Sequence, residues 1–157
     1  MKFIIVFIVI ALVAFYFIRS SDNKKSAAEN AGIANDFLAS NKANEGVLET
    51  ASGLQYQVMV KSAEEGTHPN ATSSVKVHYH GTLLDGTVFD SSVDRNKPIS
   101  VPLNRVIKGW TEGLQLMVVG DKFKFFIPAQ LAYGDSAAGK IQPGSLLIFE
   151  VELLEIQ

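Results

Sequence analysis

From Ser52 to the end of the chain, apolar and polar residues alternate with a period of two, the pattern of strands buried on one face. Leu54, Tyr56, Val58 and Val60 form the first such run, and Val75, Val77 and Tyr79, interleaved with Lys76, His78 and His80, form the second. An Asp85-Gly86 turn leads into Val88–Ser92, and Pro98 leads into a short extended piece over Ile99–Leu103. Phe123, Phe125 and Ile127 alternate with Lys122, Lys124 and Phe126, while Leu147, Phe149, Val151 and Leu153 share one face of the last strand. One stretch breaks this period. Val106, Trp110 and Leu114 are spaced i, i+4, i+8, which predicts a short helix over 106–114 carrying the only tryptophan. So short a helix needs a sheet wrapped around it to persist in water. Gly109, beside the indole, lets a ligand or a strand come close. About five antiparallel strands curled around one short helix make an α+β domain.

Upstream the pattern is different. Phe3–Ile18 is an unbroken apolar run with Tyr16 as its single polar handle, flanked by Lys2 and Arg19. As a helix it covers roughly 24 Å, against a hydrocarbon core of roughly 30 Å, and snorkelling of Lys2 and Arg19 could close the gap. A cleaved signal peptide competes with this reading, but it wants small residues where Arg19 stands, which favours an uncleaved transmembrane anchor. Ser21–Ser26 reads as a polar linker. Ala27 to about Lys42 predicts a modest helix with Ala31, Ala34, Phe37, Leu38 and Asn41 on one side, ending near Asn44-Glu45-Gly46. That narrow stripe could pack on the main domain, on a second copy of the chain, or on nothing. The expected organisation is therefore an anchor over residues 1–20, a linker with a short helix over 21–50, and a globular domain over 51–157.

Composition narrows the chemistry. A net charge of −2 over 157 residues gives no sign of a nucleic-acid surface. With no cysteine there are no disulfides, thiol catalysis or thiolate metal sites. His78 and His80 lie on one strand face at a spacing that can bind a metal. His68 is in a separate loop and Asp85 lies beyond the strand, so a solvent-facing pair is the expectation, with no metal site. Asp90 with Asp94 has the look of an acid/base pair, but no second feature supports a hydrolase.

If the odd-numbered strand residues face inward, Tyr79, Phe125 and Phe149 reach from three strands to the side of Trp110. Phe89 and Tyr133, from loops, could cap the open end. Two descriptions fit this set equally: an aromatic-walled ligand pocket, or a plain hydrophobic core.

Five motifs bear on that choice: Val77-His78-Tyr79-His80-Gly81, Val88-Phe89-Asp90-Ser91-Ser92, Val106-Ile107-Lys108-Gly109-Trp110, Leu131-Ala132-Tyr133-Gly134 and Leu147-Ile148-Phe149-Glu150-Val151. In order and spacing they resemble the FKBP-type peptidyl-prolyl cis-trans isomerases, over about Ser52 to the C-terminus. The lead-in from Asn35-Asp36-Phe37-Leu38 to Gly53-Leu54-Gln55-Tyr56 is similar to the bacterial branch of macrophage infectivity potentiator proteins. The resemblance implies a proline pocket floored by Trp110 and lined by Tyr79, Phe89, Val106, Ile107, Tyr133 and Phe149. It implies catalytic roles for Tyr79, Phe89, Asp90, Tyr133 and Phe149, and substrate binding by Arg95, Ile99, Val106, Ile107, Trp110 and Ile141. In that family pattern the Tyr133 hydroxyl and the Ile107 N–H donate to substrate carbonyls, and Arg95 pairs with Asp90 and Tyr79. Ile99 and Val101 stand where the best-known members carry phenylalanines, which bears on affinity for macrolide inhibitors more than on catalysis.

The expected activity is cofactor-free isomerisation of Xaa–Pro bonds in unfolded or folding proteins. By family precedent the chain would be tethered to the inner membrane with its domain in the periplasm, with a homodimer through the N-terminal region as a further expectation. A proline-peptide-binding chaperone with incidental turnover is the rival reading.

Overall fold

The computed structural model describes residues 2–157, with side chains described from Leu12 onward. The chain opens with one helix, α1 (Lys2–Asn41), followed by β1 (Val47–Glu49), β2 (Gln55–Val60), β3 (Ser74–Leu83), β4 (Val88–Ser91) and β5 (Ile99–Pro102). A 3-10 turn at Leu103–Arg105 leads to α2 (Lys108–Leu114), then β6 (Lys122–Ile127), a second 3-10 turn at Ala129–Leu131, and β7 (Leu147–Ile156).

All strands join one antiparallel sheet of seven, in the order β1-β2-β6-β7-β3-β4, with β5 also pairing β3. The long strand β3 organises it. One edge of β3 runs against β7 from Val75 to Leu83, and its other edge is shared, β5 taking Ser74–Val77 and β4 taking His80–Thr82. The sequence pattern gave about five strands; the one it does not mark is β1, whose three residues are too few to show a period.

The period of two sorts the faces as expected in β3, β6 and β7 but not in β2, where Val58 and Val60 are exposed and Gln55, of the opposite phase, is buried. Val75, Val77, Tyr79, Phe123, Phe125, Ile127, Leu147, Phe149, Val151 and Leu153 are buried on the inner face, where α2 lies. Burying each of these large side chains is worth about 1.5–3 kcal/mol. Two glycines let α2 sit this close. A Cβ on Gly109 would stand 2.5 Å from the Ile127 Cγ2, and one on Gly113 would stand 2.6 Å from the Phe125 Cε1. It is therefore a strand, rather than a ligand, that approaches the helix at Gly109. The helix is shorter than the spacing predicts. Val106 precedes it, and Ile107 is an extended cap residue with ψ 149°, so Val106 reaches the inner face from the connection.

The helix α1 runs unbroken through Ser21–Ser26, which the sequence pattern reads as a linker. Polarity alone does not stop a helix, and the segment contains neither Gly nor Pro. Its C-terminal part packs on the outer face of the same sheet, resolving the alternatives for that stripe. Ala27, Ala34 and Asn41, seven residues apart, are buried there. Asn30 Nδ2 donates to the Pro143 carbonyl (2.8 Å), and the Phe37 ring lies 5.8 Å from that of Phe126. Asn41 Nδ2 donates to Gln55 Oε1 (2.9 Å), while Gln55 Nε2 donates to the Leu38 carbonyl (2.9 Å) and to Glu49 (2.8 Å). Gln55 is wholly buried, so these bonds satisfy an amide that would otherwise be a costly orphan.

Among the described residues, no helix is long and apolar enough to cross a membrane. The Phe3–Ala11 part of the predicted anchor lies outside the residues whose side chains are described; from Leu12 to Ile18 the large apolar side chains are exposed.

Candidate active site

Trp110, in the first turn of α2, is 5% exposed and stands at the base of a cavity of about 690 Å³. Three links hold its helix. Thr111 Oγ1 donates to the Leu103 carbonyl (2.5 Å), and the Glu112 carboxylate accepts from Thr50 (2.5 Å) and Ser52 (2.6 Å) in the turn before β2.

The walls are aromatic and meet edge to face, the arrangement that ring quadrupoles favour. Tyr79 and Phe149 each lie 5.2 Å from Trp110, at interplanar angles of 79° and 77°, and Phe89 lies 5.3 Å from Phe149 at 86°. Gly81 makes this cluster fit. A Cβ at that position would fall 2.7 Å from Phe89 Cζ and 2.8 Å from Phe149 Cε1. Ile99, Val101, Val106, Ile107 and Ile141 complete the apolar lining, and Tyr133, 43% exposed, stands at the rim.

The polar groups are few. Asp90 accepts short hydrogen bonds from the Tyr79 hydroxyl and from Arg95 Nη1, and Arg95 Nη2 also donates to the Tyr79 oxygen (3.1 Å). Burial pushes the Asp90 carboxyl upward, but the bonds from Tyr79 and Arg95 outweigh it and hold the group below the ordinary carboxylate range. Burial, followed by the bond to Asp90, pushes the Tyr79 phenol above its usual value. The triad is thus an ionised carboxylate, a neutral phenol and a guanidinium, with no proton poised to move near neutral pH. The Ile107 N–H, at the cap of α2, is one of the donors a helix start cannot satisfy internally.

Ten of the eleven residues expected at the site therefore line one cavity: Tyr79, Phe89, Asp90, Ile99, Val106, Ile107, Trp110, Tyr133, Ile141 and Phe149. Arg95 stands behind Asp90 and Tyr79 rather than in the lining. Phe125 is not part of the wall. It is fully buried beneath Gly113, deeper than the alternation alone could show. Arg105, Ala132, Gly139 and Lys140 also line the cavity. Nothing periodic marks them, because they sit in turns. Gly81 had a legible signal, since a glycine inside a strand pattern marks a close approach. On the other face of β3, His78 and His80 bond through Nδ1 to Ser92 (2.9 Å) and Ser91 (2.8 Å).

Residues 65–154 match the family described as FKBP-type peptidyl-prolyl cis-trans isomerase, and residues 11–58 match the domain amino-terminal to it. The chain belongs to the FKBP-type isomerase family. It is 57% identical over 133 residues to the FKBP-type peptidyl-prolyl cis-trans isomerase FkpA of Aeromonas hydrophila, a match covering 85% of this chain and 49% of that protein. The outer membrane protein MIP of Legionella longbeachae is 43% identical, covering 88% of this chain and 59% of that one. Both relatives agree with the branch to which the lead-in pointed. The crystal structure of FkpA from Escherichia coli superposes with a TM-score of 0.84 at 39% identity, covering 96% of this chain and 71% of that one. The FKBP-type chain thus spans about half the length of the curated relatives it matches.

Proposed function

We propose that this chain catalyses cis-trans isomerisation of Xaa–Pro bonds in unfolded or folding proteins. The observation that carries the proposal is a cavity walled by Tyr79, Phe89, Trp110 and Phe149 whose only lining carboxylate, Asp90, is already tied to Tyr79 and Arg95. Rotation about the prolyl bond faces a barrier of about 20 kcal/mol, because the planar amide must give up its resonance. The planar form is the more polar and better solvated one. An apolar cavity therefore disfavours it relative to the twisted form, and each 1.36 kcal/mol removed from the barrier is about tenfold in rate. The proline ring would lie on the Trp110 indole, with the Ile107 N–H and the Tyr133 hydroxyl holding the flanking carbonyls in a turned geometry. Asp90 has no proton to transfer. It orients Tyr79 and, through Arg95, stiffens the wall.

In this proposal residues 51–157 form the isomerase domain. Phe3–Ile18 tethers it to the inner membrane with the pocket in the periplasm; the support is the apolar run flanked by Lys2 and Arg19. Since the α1 face from Ala27 to Asn41 is spent on the sheet, a homodimer would use the part of α1 before it. Ile99 and Val101 in the lining make the wall less aromatic, which counts against affinity for large macrolide inhibitors more than against catalysis.

A protease-coupled assay on a short Xaa–Pro peptide tests the proposal. Wild-type protein should accelerate the slow phase and Phe89→Ala should remove most of that acceleration. Protection of a denatured protein from aggregation that survives Phe89→Ala, with no peptide turnover by the wild type, would favour the chaperone reading instead.

A further inference from the structure

Charge at the cavity mouth is lopsided. The lining contains three ionic side chains, Asp90, Arg105 and Lys140. Asp90 is matched by Arg95, so the two other cations are left over. Both are exposed, and among the described residues neither takes part in an ion pair. Lys140 Nζ reaches only a neutral acceptor, the Val88 carbonyl at 3.3 Å. The nearest acid along the chain from Arg105, Glu112, accepts from Thr50 and Ser52, and the nearest to Lys140, Asp135, is like it outside the lining. The excess stands out because the chain as a whole carries −2.

Position gives these cations a role. Arg105 closes the 3-10 turn and lies two residues before Ile107, whose N–H would hold a client carbonyl. A guanidinium there falls beside the client residue adjoining the held carbonyl, outside the apolar walls that take the proline. Lys140 sits in the tight turn closed by the Ala138–Ile141 pair, at the rim beside Ile141. Its ammonium can exchange the weak bond to the Val88 carbonyl for a carboxylate without leaving water.

Resting on the isomerase proposal, we infer that Arg105 and Lys140 are specificity residues that favour client segments with an acidic residue flanking the Xaa–Pro pair. Solvent-exposed pairs of this kind are individually weak, and the focusing of field by an apolar cleft raises their effect on association. Together they should give roughly a threefold to tenfold preference in kcat/KM for a flanking Glu over a flanking Lys at low salt. The preference should fade by about 0.5 M salt, where screening acts within a few ångströms.

The test uses the full chain and three peptides that differ only in Glu, Gln or Lys next to an invariant Leu-Pro pair. Rates are read by NMR exchange, which needs no protease with preferences of its own. The expected order is Glu, then Gln, then Lys, with the ratio of Glu to Lys falling toward one in high salt. In Arg105→Gln/Lys140→Gln the ratio should collapse at low salt, and in Arg105→Glu/Lys140→Glu the order should invert. Equal rates at low salt, an order led by Lys, or a ratio unmoved by the double substitutions would overturn the inference while leaving isomerisation intact. Absence of turnover on all three peptides would instead overturn the isomerase proposal, and this inference with it. The salt dependence of the wild type stands as an independent readout if a variant folds poorly.

Discussion

Replacing Gly81 by alanine probes the pocket without touching any side chain that faces it. The new methyl would stand 2.7 Å from Phe89 Cζ, 2.8 Å from Phe149 Cε1 and 2.9 Å from Phe89 Cε2. Carbon atoms settle near 3.5–4.0 Å, so the rings must retreat by on the order of 1 Å. Phe149 is 6% exposed and wedged between Tyr79, Phe89 and Trp110, which leaves Phe89, half-buried at the mouth, to move most. Overpacking of this size costs about 1–3 kcal/mol, less than a domain's typical stability, so the variant should fold. A displacement of about 1 Å in a positioning wall can cost up to about a hundredfold in rate. The expected result is a modest drop in the urea midpoint with unchanged m-value, and a fall in kcat/KM for an Xaa–Pro peptide of at least tenfold. A folded Gly81→Ala protein that isomerises at the wild-type rate would show that Phe89 and Phe149 do not shape the transition state. A variant that fails to fold would place the cluster in the core instead.

Four other outcomes follow from the same geometry. Asp121 is fully buried and accepts from Lys61 Nζ (2.7 Å), the Ser62 N–H (2.8 Å) and the Val118 N–H (2.9 Å). Asp121→Asn places an amide donor against one of these donors and should cost about 1.5–3 kcal/mol in chemical denaturation, a value within error of zero refuting the network's role. Burial raises the Asp121 carboxyl, but the Lys61, Ser62 and Val118 bonds together lower it below the ordinary range. Its contribution is therefore full above the unfolded-state value of about 3.9 and is lost as pH falls through the lower folded-state value, which acid titration of Asp121→Asn against wild type should reveal as convergence only in acid. Gly32 lies mid-helix in α1 with nothing within 4 Å of its missing Cβ, so Gly32→Ala should raise stability by about 0.5–1 kcal/mol, and any loss would mean a hidden contact. A fragment over residues 51–157 should fold by circular dichroism yet melt below one over 23–157, because it lacks Asn41 and the Leu38 carbonyl as partners of Gln55 and uncovers Phe126; equal melting would make the α1 packing energetically idle.

How far the sequence could be read depended on length of pattern. The strands β3, β6 and β7 alternate over six to ten residues and were legible, faces included. Three-residue β1 offers no period, and its place is set by pairing with β2 rather than by its own composition. The spacing of Val106 and Trp110 suggested a helix two residues longer than exists, because a chain entering through a 3-10 turn can deliver a side chain to the same face. Ser21–Ser26 looked like a linker because its residues are polar, whereas a helix ends where it meets a breaker or exhausts its caps, here beyond Asn41 and before Gly46 with its φ of +79°. Within the site the aromatic residues could be gathered from alternation and loops, but pocket and core predict the same residue types. The Asp90–Arg95–Tyr79 cluster was accessible only through family resemblance, since nothing local ties Arg95 to a strand sixteen residues earlier. Arg105 and Lys140 were not accessible at all: cations in exposed turns are ordinary, and only the folded arrangement brings both to one mouth.

The most direct test is two-dimensional NMR exchange on a short Leu-Pro peptide with catalytic amounts of protein, following the Trp110 indole N–H in a parallel titration. Trp110 Nε1 is buried and has no partner among the described residues, so its resonance is a local reporter on the cavity floor. The expected result is that cis-trans exchange, which takes tens of seconds unaided, becomes faster than about one per second, and that the indole resonance shifts on peptide binding. In Trp110→Leu the catalysed exchange should drop sharply while the domain remains folded. Exchange left at the uncatalysed rate by the wild type, or catalysed exchange with no movement of the Trp110 signal and full activity in folded Trp110→Leu, would contradict a proline pocket built on this indole.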